Sequence, residues 1–333
     1  MIFAELFLML IVILIAAEVF TNALEHLGEK LGISEGVTGS IFAAVGTALP
    51  ETIVPLLALL AGTTDAHVNE EIGVGAILGA PLMLSTLSIS LLAFAVLKKR
   101  GANGHFHPEK TGLKRDLDFF IVAFGFATLA LFVPHEIRSV RFAMSFAMVL
   151  TYFIYIMLTL RASKGLVQEG HATEAEGPMF LCKLGLPNNM AVVSLQLLAG
   201  LVLLIAGAKG FISGIQGVSE LLGITPLLLS LLIIPIATEL PEKINSILWV
   251  RKNKDTLAFG NITGALVFQG TLLPAIGIML TPWVPQKEVF AGVVVTLLGV
   301  FWLRWMIARG QLRVWHVWVN GLMYLTYLIF VLH

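Results

Sequence analysis

The pattern Thr-x-Leu-Pro-Glu stands twice in this chain, each time inside a stretch apolar enough to cross a membrane. The surrounding phrase is nearly the same both times. The first copy is Gly46-Thr47-Ala48-Leu49-Pro50-Glu51 and the second is Ala237-Thr238-Glu239-Leu240-Pro241-Glu242. The copies are offset by 191 residues. That offset also aligns Leu31-Gly32-Ile33-Ser34 with Leu222-Gly223-Ile224-Thr225, and Glu29 with Glu220, without a gap. Inside hydrocarbon every backbone polar group must find a partner in the protein, and an ionisable side chain there is expensive. Helix-breaking prolines joined to carboxylates at matching places in two halves point to an ion-binding site built by an internal repeat.

Composition supports the membrane reading. Apolar residues make up 57% of the chain and charged residues 13%, far from a soluble globular profile. Acidic and basic residues balance at 21 each, which gives no reason to expect a nucleic-acid partner. The lipid bilayer and inorganic cations are the expected partners, and the sequence leaves room for a homo-oligomer. Cys182 is the single cysteine, so an intrachain disulfide is excluded. The first lysine is Lys30, so the opening apolar run reads as a retained helix rather than a cleaved signal.

A spanning helix needs about 20 mostly apolar residues. Ten stretches qualify, near 3–25, 33–62, 70–97, 117–134, 140–160, 188–212, 222–250, 256–281, 287–304 and 314–332. The polar segment 162–187, with Glu169, Glu174 and Glu176, reads as a flexible linker. The expected fold is therefore an all-α polytopic membrane protein of ten transmembrane helices. Residues 1–161 form a first five-helix repeat, 162–187 a cytoplasmic linker, and 188–333 a second repeat. An odd number of spans per repeat turns the second upside down relative to the first, as in many transporters. With the N-terminus outside, 16 of the 21 Lys and Arg residues fall in inward loops and three (Arg138, Arg141, Lys287) in outward ones. That bias fits the positive-inside rule and a location in the cell membrane with basic loops in the cytoplasm.

Each proline removes an N–H, so the carbonyls of Gly46 and Ala237 lose their helical partners. Thr47 and Thr238 add hydroxyls beside them, and Glu51 and Glu242 follow one turn on, on the same face. Carboxylate, carbonyl and hydroxyl oxygens make the hard ligand set that Ca²⁺ prefers. Two carboxylates neutralise one divalent ion; without a cation they repel, and at least one takes up a proton. One helix after each phrase comes a glycine pair at four-residue spacing, Gly75/Gly79 and Gly260/Gly264. Such spacing lets helices approach closely.

On these residues the chain resembles the calcium/cation antiporter superfamily, to which the sodium/calcium exchangers belong. The resemblance covers essentially the whole length. It implies ten helices in two inverted repeats, with a Gly-Thr-Ser-Leu-Pro-Glu signature on each second helix and a Gly-Asn-x-x-Gly-Ser-Asn signature on each third. It also implies that Glu51 and Glu242 bind the ion, with Thr47 and Thr238 contributing backbone and hydroxyl ligands, and that the first and sixth helices slide to switch access. The signature serine is replaced by Ala48 and Glu239, the small hydroxyl residue of each third helix by Ala80 and Ala265, and the Asn or Asp that the family carries four residues after that hydroxyl by Leu84 and Gln269. These are positions from which the family draws its sodium ligands. The implied activity is export of Ca²⁺ or a similar cation in exchange for Na⁺ or H⁺, by alternating access at a midplane two-glutamate site and with no cofactor. The alternatives are a proton-coupled exchanger of another cation, or a sensor or scaffold that transports nothing. An enzyme is not expected: the eight histidines fall in loops or near helix ends, away from any intramembrane hydrolytic centre.

Two charge pairs call for separate accounts. Glu239 and Lys243 are spaced for a helical ion pair with the acid first, while their counterparts at the 191 offset are Ala48 and Thr52. The pair is read either as a structural salt bridge or as an ammonium that substitutes for a cation. Glu18 and Lys209 are themselves 191 apart. They are expected either to pair near the pseudo-two-fold axis or to find separate partners.

Overall fold

Backbone groups without access to water close their hydrogen bonds within the segment, and the apolar runs of this chain do so as helices. The computed structural model describes residues 2–31, 48–62, 64–167 and 177–333. In chain order the helices are α1 (Ile2–Lys30), α2 (Leu49–Ala61), α3 (Ala66–Arg100), α4 (Lys110–Ala130), α5 (Arg138–Val167), the single turn α6 (Phe180–Lys183) and α7 (Met190–Leu222). They continue with α8 (Pro226–Thr238), α9 (Leu240–Arg251), α10 (Asp255–Leu280), α11 (Lys287–Ala308) and α12 (Val314–Leu332). A two-residue antiparallel pairing joins His105–Phe106 (β1) to Leu312–Arg313 (β2). Among the described residues seven helices are long and apolar enough to cross a membrane: α1, α3, α5, α7, α10, α11 and α12. Two more, α2 and α8, are apolar but short.

Several boundaries differ from the sequence expectation for physical reasons. The stretch 222–250, expected as one span, is divided into two helices near the proline that the sequence marks as helix-breaking, because Pro241 cannot continue α8. Helix α4 starts at Lys110 rather than near 117, because the Glu109 carboxylate caps it by accepting from the N–H groups of Thr111 and Gly112. The segment 162–187 carries helix at both ends, with α5 running to Val167 and α6 at Phe180–Lys183.

The chain divides into two compact units that do not follow the sequence halves. One comprises residues 1–69 and 156–223, the other 70–155 and 224–333. In the first unit α1 and α7 pack antiparallel along most of their length. Gly200 lies against Phe20, Gly207 against Val12 and Ile13, Gly210 against Met9 and Gly214 against Leu6. The glycines leave room for the opposite helix. A buried amide clamp fastens one end of this pair. Gln196 donates to the Val19 carbonyl and to Asn22 Oδ1, and its own carbonyl oxygen accepts from Leu181 N–H. Asn22 Oδ1 also accepts from Phe180 N–H, so α6 is held against both helices.

In the second unit α3 packs on α8. A Cβ on Gly75 would overlap Ser230 Oγ and the Leu227 carbonyl; one on Gly79 would meet the Leu231 carbonyl and lie 2.8 Å from the Pro235 ring. The first glycine pair thus does what its spacing suggests. For the second pair, among the described residues, Gly260 has no neighbour within 4 Å and Gly264 meets the Tyr155 hydroxyl at 3.9 Å. Leu82, Met83, Leu228, Leu231, Tyr324 and Tyr327 form a core where α3, α8 and α12 meet. On α4, Asp116 accepts from Thr263 Oγ1 of α10 at 2.6 Å and from the Tyr155 hydroxyl at 3.1 Å. Arg100, at the end of α3, forks onto Asp255 at 2.7 and 2.8 Å. Arg141, assigned from sequence to an outward loop, is buried, and its guanidinium donates to the Ile278, Thr281 and Pro282 carbonyls at the end of α10.

Substituting Gly79 by Val forces branched carbons into the Leu231 carbonyl and the Pro235 ring, so its thermal unfolding in detergent should fall well below wild type. Gly260→Ala, on an open helical position, should unfold at or slightly above the wild-type temperature, by up to about 1 kcal/mol of helix propensity.

Candidate ion-binding site

From Ala48 and from Glu239 onward the two copies of the phrase start a helix with nearly the same backbone. In the second, α8 ends at Thr238, Glu239 leaves the helical path (φ −93°, ψ 11°), and α9 begins at Leu240. In the first, Ala48 has nearly the same backbone (φ −82°, ψ 1°) and α2 begins at Leu49. Proline then sits at the second helical position of each new helix. It is tolerated there because an N–H in the first turn has no intrahelical acceptor. Glu51 and Glu242 are each the third residue of their helix, where the positive end of the helix dipole favours a carboxylate.

In the first unit, the side chain of Glu51 is buried, with 4% of its surface exposed. The Thr52 hydroxyl donates to the Ala48 carbonyl at 2.7 Å. Gly46 and Thr47 lie outside the described residues.

In the second unit, Ala237 and Thr238 are buried and the Thr238 hydroxyl donates to the Ile234 carbonyl at 3.1 Å. The backbone of Glu242 is in α9, while its side chain lies outside what is described. Glu239 is fully buried and pairs with Lys243 at 3.1 Å, as the four-residue spacing suggests. Lys243 Nζ also donates to the Pro235 carbonyl at 2.8 Å and meets Met83 Sδ at 2.9 Å. On α10, Gln269 is buried and its side-chain oxygen has no hydrogen-bond partner among the described residues. Of the site residues expected from sequence, the second unit therefore brings Glu239 and Lys243 together.

The Glu18–Lys209 pair does not form. The α1/α7 register places Glu18 level with Val202 and Lys209 level with Ile11. Seven residues of helix, or about 10 Å of rise, separate the two positions. Both side chains are exposed, and no ion pair joins them among the described residues. The reason is geometric: the pairing is centred on Leu14 and Ile15 against Ile205 and Ala206, so equivalent residues away from that centre move to opposite sides of it.

Sequence reasoning missed a feature of α3. Residues Leu84–Ser88 form a π-turn, a form that recurs at functional sites. Pro81 lies one turn before it and removes a backbone donor. The Ser85 and Thr86 hydroxyls bond back to the Leu82 carbonyl. Asn320 of α12 holds the turn from outside, donating to the Ser85 carbonyl at 2.7 Å and to the Gly299 carbonyl at 3.0 Å. The cluster Pro81, Ser85, Thr86, Ser88 was the available signal. The turn includes Leu84, four residues after Ala80, the position at which the resemblance implies an Asn or Asp.

Seven long apolar helices in a nearly all-helical fold, with buried carboxylates at Glu51 and Glu239, fit a membrane transporter. The family described as sodium/calcium exchanger protein matches residues 1–161 and 192–333, and the chain belongs to that family, within the calcium/cation antiporter superfamily. It is similar to the putative antiporter CaxA of Alkalimonas amylolytica, with 24% identity over 282 residues that cover 83% of this chain and 79% of CaxA. It is similar also to the inner membrane protein YrbG of Escherichia coli (strain K12), with 25% identity over 273 residues covering 82% and 78%. Among solved structures, the fold resembles an H⁺/Ca²⁺ exchanger, CAX, with a TM-score of 0.73 and 19% identity, covering 99% of this chain and 82% of that one. The protein is thus a multi-pass membrane protein of a transporter family rather than of an enzyme family.

Replacing Asn320 with Leu removes two donors from buried carbonyls. The loss should lower stability by about 1–3 kcal/mol and raise amide hydrogen exchange first at residues 84–88. Unchanged exchange there would show that the π-turn does not depend on Asn320.

Proposed function

We propose that this protein is a secondary antiporter that exports Ca²⁺, or a cation of similar chemistry, in exchange for Na⁺ or H⁺ by alternating access. Glu51 and Glu242 are its charged ligands. The observation that carries this reading is the matched helix start in the two phrases, each with glutamate at its third position, in a chain whose two halves both match the exchanger family. Half-helices that start and end at membrane depth supply dipole ends and freed carbonyls for ion binding. Two carboxylates balance a divalent ion, and their oxygens are hard ligands of the kind Ca²⁺ selects. Coupling follows from competition: the cation must leave before the driving ion can occupy the same carboxylates.

The proposal includes ten spans in two inverted five-helix repeats, in the cell membrane, with the N-terminus outside. The antiparallel α1/α7 packing supports the inversion. Its centre pairs Leu14 with Ala206 and Ile15 with Ile205, and the 191 offset makes Leu14 the equivalent of Ile205 and Ile15 of Ala206. The 16-to-3 distribution of basic residues supports the orientation. On α3, the buried Ala80 and Leu84 offer no side-chain oxygen where the superfamily draws sodium ligands. That favours H⁺ over Na⁺ as the driving ion.

Proteoliposomes loaded with Ca²⁺ under a pH gradient or a Na⁺ gradient, imposed separately, test the proposal. Wild-type flux should follow the pH gradient, and Glu51→Gln and Glu242→Gln should each reduce it to the level of empty vesicles. Full flux in Glu51→Gln vesicles would overturn the site assignment, and flux driven by Na⁺ alone would overturn the coupling.

A further inference from the structure

The two phrases differ in one respect that the exchanger reading does not use. Glu239 and Lys243 stand where the first copy has Ala48 and Thr52. The break itself does not need the charges, because Ala48 adopts nearly the same backbone as Glu239 without them. A structural role is also weakly motivated on energetic grounds. Apolar residues of similar size often replace a buried ion pair at no loss of stability.

The surroundings of the ammonium resemble a ligand shell. Lys243 is 6% exposed, although a lysine this long ordinarily extends its charge toward water. Its ammonium pairs with one residue and donates hydrogen bonds to two others. These are Glu239 Oε2 at 3.1 Å, the Pro235 carbonyl at 2.8 Å and Met83 Sδ at 2.9 Å. Pro235 lies in the last turn of α8, so its carbonyl belongs to the negative end of a helix dipole. A carboxylate and a helix-terminal carbonyl converging in a buried space together favour one positive charge. In the first copy the corresponding Thr52 hydroxyl bonds to the Ala48 carbonyl, with no charge on either side.

We propose that the Lys243 ammonium is a tethered monovalent cation. It permanently fills a position formed by Glu239, Pro235 and Met83 that would otherwise take a soluble monovalent cation. Resting on the exchanger reading, the consequence for transport is that the chain works with one fewer soluble coupling cation. The lysine is a specificity determinant: it holds its position against exchange and leaves the driving role to the other carboxylates.

The test is equilibrium binding of radiolabelled Na⁺, with K⁺ and Li⁺ as competitors, to purified full-length protein in detergent at mildly alkaline pH. Wild type, Lys243→Met and the double variant E239Q/K243M are compared, with thermal unfolding followed against Na⁺ concentration. Lys243→Met should bind one more Na⁺ per chain than wild type and gain thermal stability as Na⁺ rises. The double variant, lacking the carboxylate, should return to the wild-type count and lose that Na⁺ dependence. Equal counts in wild type and Lys243→Met would overturn the proposal. A Lys243→Met protein that is unfolded at every salt concentration would overturn it too, because the vacated position then accepts no solute cation. The count is independent of transport. A wild type that moves no Ca²⁺ ends the exchanger reading and leaves this binding result standing, whereas equal counts end the inference and leave the exchanger reading untouched.

Discussion

A carbonyl deprived of its helical N–H in a place without water is the constraint on which the rest of this structure depends. Pro241 removes such a donor in the middle of an apolar segment, and the chain responds by ending one helix and starting another. The break sets a helix C-terminus, with its free carbonyls, next to a helix N-terminus, with its free N–H groups. Both ends attract charge of defined sign, so the cost of the broken helix becomes ion-binding capacity. The glutamates at 51 and 242 lie where a new helix begins, and the ammonium of Lys243 lies against the end of an old one.

Close packing keeps the break in place. The side-chain-free surfaces of Gly75 and Gly79 bring α3 against α8 at Leu227, Leu231 and Pro235, and Met83 then stands within reach of Lys243. One turn further along α3 the π-turn is pinned by Asn320. The same helix therefore serves two purposes within the second unit: it supports the end of α8 and presents an irregular backbone segment beside it. In the first unit a row of glycines on α7 serves α1 in a similar way. Small residues on one helix of a close pair let the two backbones approach.

Much of this was legible in the sequence. Proline position foretold where the second phrase would break, the four-residue spacing of Glu239 and Lys243 foretold their ion pair, and Gly75 and Gly79 foretold a tight helix contact. The reason is that each depends on local rules: a missing donor, a helical period, a missing Cβ. The failures have a different origin. The 191 offset aligns Glu18 with Lys209 and left both a pair and separate partners open, because an offset in sequence does not say where along two packed helices the residues fall. Gly260 and Gly264 repeat the spacing of the first pair, yet no helix among the described residues packs against them as α8 does against Gly75 and Gly79. The π-turn at 84–88 is a cooperative choice among Pro81, several hydroxyls and Asn320, and no single residue announces it. Arg141 looked like a loop charge because its partners are backbone carbonyls some 140 residues away in sequence, which leave no trace in composition.

If the carboxylates of residues 51 and 242 serve one ion, their removal cannot be independent. Equilibrium Ca²⁺ binding to the purified protein, measured for wild type, Glu51→Gln and Glu242→Gln, tests this most directly. One Ca²⁺ per chain is expected in the wild type, and it should disappear in either variant. Two ions per chain, with one surviving in each variant, would show two separate sites and contradict the shared one.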